Sequence, residues 1–249
     1  MGNQQMPDTA KTMLQPIKGR QTVQDGVYRS LREALMRGRF DPNHTLTIPA
    51  LAEAFETSHM PVREALRRLV AENALEMSPG GSARVPAISR ARLDDIFRTR
   101  LVLEGYATEL AVPRLTERER RAIEHARILH ETSGVEDGVY EMLDRNQEFH
   151  FQIYAASGSE IMPQLIEALW LRLGPYMRAL SHHIEPLLGQ PDFANGAQFH
   201  GRITAALAEG DAAAARAAVE DDIRATQALL HTLVPENEDT TGPAVVDRS

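Results

Sequence analysis

Four side chains in the second half of this sequence have the chemistry to hold a divalent metal ion. Asn146 and His150 sit at i and i+4, so a helix would present both on one face. His200 and Asp222 follow on later segments, with Asp222 on the same apolar stripe as Val219, Ile223 and Leu229. The chain contains no cysteine, which excludes thiolate metal sites, disulfides and a cysteine nucleophile, so any transition metal would need imidazole and oxygen ligands. On residue type alone these histidines could equally be hydrogen-bonded core or surface groups. A second constellation lies nearer the start. Ser58, His59, Met60 and Arg63 open a helical segment that follows a tight turn, where backbone amides and the helix dipole favour a phosphate and an arginine can reach a guanine edge.

The elements that must carry these groups can be read from periodicity. Val23, Val27, Tyr28, Leu31 and Leu35 recur at helical spacing, and Gly38 ends that helix. An extended piece at 46–48 precedes a helix over 49–56, a turn at Glu56-Thr57-Ser58, and a helix over about 60–73 with Ser58 as its cap. Two short strands then flank Pro79-Gly80-Gly81-Ser82 as a hairpin. This is the layout of a winged helix-turn-helix, in which Arg84 and the glycine turn could place a wing on the adjacent minor groove. After a linker at 86–89 the chain reads as helices over 90–112, 116–133, 137–157, 159–184, 194–209 and 211–232. The expected fold is therefore mostly α: an N-terminal winged helix-turn-helix over 21–86 and an antiparallel bundle of six to seven helices over 87–233. The flanks, 1–20 and 234–249, read as mobile polar tails.

The net charge of −8 by itself argues against a nucleic-acid partner, but its distribution is uneven. Residues 1–89 carry 11 Lys and Arg against 9 Asp and Glu, so the acidic excess lies in the helical part. No apolar run is long enough for a membrane span and Met1 to Arg20 lack a signal-peptide core, so no membrane partner and a cytoplasmic location are expected.

The run Met60-Pro61-Val62-Arg63-Glu64-Ala65-Leu66-Arg67-Arg68-Leu69, with LAEAFETS before it and LVAENALEMSPGGSARV after it, resembles the reading head of the GntR family of bacterial transcription regulators. That resemblance implies DNA contacts at Ser58, His59, Met60, Arg63 and Gly80. Two positions depart from the family pattern: His59 stands where arginine is usual, and Pro49 where many members place another base-contacting arginine. Asn146-x-x-Phe149-His150 with Ala155-Ala156-Ser157-Gly158, and Phe199-His200 through Gly210-Asp211, resemble the motifs of the FCD effector domain of the FadR-like branch. The resemblance implies a divalent ion, zinc first and nickel or manganese as alternatives, held by Asn146, His150, His200 and Asp222. Asp222 replaces a family histidine. A cavity for a small carboxylate effector is implied beside the ion.

Arg100, in a segment similar to the family's first-helix pattern, is the candidate for a bidentate clamp on that carboxylate, with a structural ion pair to a bundle glutamate as its alternative. His125 and His130 read as solvent-facing, and at most one of His182 and His183 can point inward. The expected function is a non-enzymatic regulator binding a double-stranded, pseudo-palindromic operator as a homodimer. A metalloenzyme is the contrary reading, but the only Glu-x-x-His spacing, Glu56 to His59, falls in the DNA-reading turn. A regulator with a purely structural metal is the third.

Overall fold

The computed structural model describes residues 23–78, 81–190, 193 and 196–234. The proposed tails and Gly80 lie outside the described residues, except Val234, which is buried against the bundle. The N-terminal unit begins with α1, Val23–Met36, whose stripe of Val27, Tyr28, Leu31 and Leu35 is buried. Strand β1, Thr45–Leu46, leads into α2, Ile48–Ala54, and α3, His59–Ala71. Glu56 adopts a left-handed φ of 49° between α2 and α3, which lets three residues reverse the chain. Strands β2, Glu76–Met77, and β3, Ala83–Arg84, form the hairpin. The extended piece near 46 is a third strand: β1 pairs antiparallel with β3, giving the order β1-β3-β2 with Thr45 and Glu76 both opposite Arg84. The winged helix-turn-helix expected from the sequence is present.

Ser89 caps the next helix by accepting from the Arg92 amide. Six helices follow: α4, Arg90–Ala111; α5, Glu117–Glu131; α6, Gly138–Ala155; α7, Met162–Ile184; α8, Ala197–Glu209; and α9, Ala212–Leu233. Thr116 and Glu119 close a capping box on α5, and Asp211 caps α9. Helix ends lie within about three residues of those read from periodicity. Their inward faces enclose one apolar core containing Phe97, Phe149, Ile153, Tyr154, Ile203 and Val219.

Helix α7 belongs to both units. Its Leu171 is buried in the core of the winged helix, whereas Leu173, Tyr176, Met177 and Leu180 belong to the bundle core. The approach of α1 to α7 is close enough to require glycine. A Cβ on Gly174 would stand 2.0 Å from the Leu35 carbonyl oxygen, and one on Gly38 would stand 2.7 Å from the Arg178 amide nitrogen. Ion pairs surround this contact: Arg32 with Glu167 at 2.7 Å, Arg37 and Arg39 with Asp144 at 3.3 Å, and Arg178 with Asp41 at 2.7 Å. Tyr176 fixes the linker by donating to the Ser89 carbonyl and accepting from its amide.

Candidate metal centre and nucleic-acid interface

Three helices bring the candidate ligands together. Helix α6 supplies His150, α8 supplies His200 and α9 supplies Asp222, and one ligand atom of each lies within 4.8 Å of the others. Both histidines are buried, and Asp222 is only slightly exposed. Asn146, one turn before His150, lines the same cavity.

The hydrogen bonds around His150 decide which of its nitrogens can bind an ion. The Tyr154 hydroxyl donates its single proton to Glu104 at 2.6 Å. At its 3.3 Å contact with His150 Nδ1 the phenol oxygen can therefore only accept, which places the imidazole proton on Nδ1 and the lone pair on Nε2. That Nε2 faces Asp222 Oδ2 at 3.1 Å. A lone pair facing a carboxylate requires a cation between them or a second proton on the ring. His200 Nδ1 is buried with no hydrogen-bond partner among the described residues. Burial, reinforced by the nearby His150, lowers the His200 imidazole to about 3, so it is neutral and able to ligate at physiological pH. For Asp222, burial acts to raise the carboxyl, but the His150 hydrogen bond and neighbouring positive charge outweigh it and the net shift is downward. Two imidazoles, a carboxylate and an amide oxygen fit a divalent transition metal.

His130 corrects the sequence reading. It is buried, not solvent-facing: it lines the cavity from α5, and its ring lies 4.7 Å from that of His200. A signal was present, because Ile123, Ala126 and His130 recur at spacings of three and four on the inward stripe of α5. His125 is exposed, as read. Of the adjacent pair on α7, His183 lines the cavity, whereas His182 points outward toward Asp41 at 3.3 Å.

Arg100 makes the ion pair to a bundle glutamate that is its alternative reading, and it also lines the cavity. It is buried and forms a two-point ion pair with Glu104, at 2.6 Å from Nε and 3.2 Å from the second contact. Glu104 also accepts from Trp170 Nε1 at 3.1 Å. The guanidinium lies over the Trp170 ring and lines the cavity beside Asn146, His150 and Asp222. The cavity occupies about 220 Å³.

In the winged helix-turn-helix, Ser58, His59, Met60 and Arg63 are all exposed at the start of α3. Ser58 occupies the N-cap position, but its side chain makes no capping bond. Arg63 makes no ion pair among the described residues. Arg84 is on the wing but pairs with Glu76 at 3.0 Å across the sheet, so contact with DNA would require it to leave that partner.

Two family models match this chain: "Bacterial regulatory proteins, gntR family" over residues 23–85 and "FCD domain" over 95–225. The Escherichia coli (strain K12) HTH-type transcriptional regulator McbR is 34% identical over 160 residues, covering 64% of this chain and 72% of McbR. The chain belongs to the GntR family. It is a DNA-binding transcriptional regulator with an FCD effector domain. The E. coli HTH-type transcriptional repressor GlaR is 34% identical over 154 residues, covering 60% of this chain and 69% of GlaR. A solved structure of E. coli McbR/YncC has a TM-score of 0.78 at 30% identity and covers 85% of this chain and 98% of that one. In this family member the FCD segment contains all four candidate metal ligands, and the gntR segment contains every DNA-contact candidate. Among the described residues no helix is long and apolar enough to cross a membrane.

Proposed function

We propose that this chain binds a pseudo-palindromic operator as a homodimer in the cytoplasm, and that a small carboxylate bound beside a divalent metal ion changes its operator affinity. The carrying observation is the convergence of His150, His200 and Asp222 on a cavity that Arg100 also lines. Asn146 completes the ligand set. The ion would supply an open coordination position for a carboxylate oxygen. The chain's own residues do the rest: Tyr154 orients His150, Glu104 orients Arg100, and Arg100 lines the cavity with N–H donors left over from that pair. One reading head covers one half-site, so two copies are needed for a palindrome. Ser58, His59, Met60 and Arg63 enter the major groove, while Gly80 and Arg84 approach the backbone or minor groove from the wing. No turnover is part of this reading.

His200→Ala tests it. The variant is expected to lose its metal in elemental analysis, still bind operator DNA, and no longer release or tighten on DNA when organic acids are added. A folded, metal-free variant that keeps its full response to acid would make the metal purely structural and overturn the proposal.

A further inference from the structure

We infer that the effector is a monocarboxylate with an apolar body of about phenyl size, rather than a polar di- or tricarboxylate. This rests on the carboxylate reading above and adds the chemistry of the rest of the molecule. The cavity lining is of two kinds. His150, His200, Asp222 and Arg100 supply its charged and metal-ligating groups. Much of the rest is Leu173, Met177, Leu180, Ile184, Leu187 and Leu229, with His183, Gln198 and Thr226 as polar exceptions. Phe193 and Phe199 add aromatic surface.

Charge sets the number of carboxylates. The Arg100 and Glu104 charges cancel in their ion pair. Asp222 offsets one of the two positive charges of a bound divalent ion, which leaves one for the ligand. A single carboxylate neutralises it. For a second carboxylate the described lining offers no Arg or Lys besides the already paired Arg100, and an unpaired charge among leucine and methionine side chains is strongly disfavoured. Size sets the body. Benzene fits an apolar cavity of roughly 150 Å³. The 220 Å³ here holds a ring, or a chain of similar bulk, together with its carboxylate.

The test is calorimetry on the zinc-loaded full-length protein with acetate, butyrate, hexanoate and phenylacetate, against succinate, malate and citrate. Affinity is expected to rise about fourfold per added methylene up to hexanoate. Phenylacetate should bind at least tenfold tighter than acetate, and the polyacids at least tenfold weaker than hexanoate. Leu187, half-buried in the wall, provides the local control: Leu187→Gln should flatten the chain-length series and leave acetate unchanged. Citrate or malate binding tighter than hexanoate would overturn this inference while leaving the carboxylate reading intact. A chain-length series unaffected by Leu187→Gln would also overturn it, since the apolar gain would arise elsewhere. If none of these acids binds, and none changes operator affinity, the carboxylate reading itself fails.

Discussion

Arg63 stands exposed at the start of α3 and makes no ion pair among the described residues, so its loss should affect DNA binding and little else. Arg63→Ala is expected to weaken operator binding about 10- to 100-fold, the cost of one good base contact, with an unchanged thermal midpoint. Fluorescence anisotropy on operator duplexes, paired with a melting curve, measures both; a normal affinity would remove Arg63 from the interface. His59 presents a shorter, pH-dependent donor where arginine is usual in the family. His59→Arg should therefore move the half-site recovered by DNA selection toward the common family sequence, and an unchanged selection would show that His59 does not read bases. At this scale spacing made two of the candidate ligands visible in the sequence, because Asn146 and His150 share a helix face. His130 was hidden by its polar neighbours Arg127 and Glu131, although its stripe was apolar. The pairing of Arg100 with a bundle glutamate was one of its two readings, but Tyr154 and Trp170, which reach Glu104 from two other helices, could not be read.

Periodicity located the helices because each buries one face, but it could not show which helix the winged head rests on. Gly174 precedes Pro175 inside α7, a pair of residue types that weakens a helix. In the fold, Gly174 is the place where two backbones touch. Gly174→Ala would put a methyl group 2.0 Å from the Leu35 carbonyl oxygen, which no side-chain rotation can relieve. A cost of about 1–3 kcal/mol is expected, borne mainly by the docking of α1 on α7. Differential scanning calorimetry should show one transition becoming two, or the linker at 86–89 should become sensitive to protease; a single unshifted transition would refute the contact. Inside the bundle, Glu104→Gln leaves the buried Arg100 charge without its counter-ion. The expected loss is about 3–5 kcal/mol, read as a large fall in thermal midpoint by circular dichroism.

Across the whole molecule the two sites share one mechanical part. One face of α7 lines the cavity through Trp170, Leu173, Met177 and Leu180, and its opposite side holds the reading head through Leu171, Gly174 and Arg178. Helix α6 has the same two-sided character, with His150 toward the cavity and Asp144 toward Arg37 and Arg39. A rigid helix gripped on both sides cannot shift at one without affecting the other, so acid binding and the pose of the head should be linked. Linkage is reciprocal: if an acid weakens operator binding by some factor, saturating operator must weaken acid binding by the same factor, typically 5- to 150-fold. Acid titrations with and without operator duplex, at one salt concentration, measure both halves of that cycle. Arg178→Ala removes the ion pair to Asp41 without touching either site, so it should reduce the shared factor while leaving acid affinity in the absence of DNA unchanged. Equal coupling in Arg178→Ala and the parent chain would mean that the signal travels through the remaining contacts, the apolar one at Leu171 and Gly174 and the ion pairs of Arg32, Arg37 and Arg39.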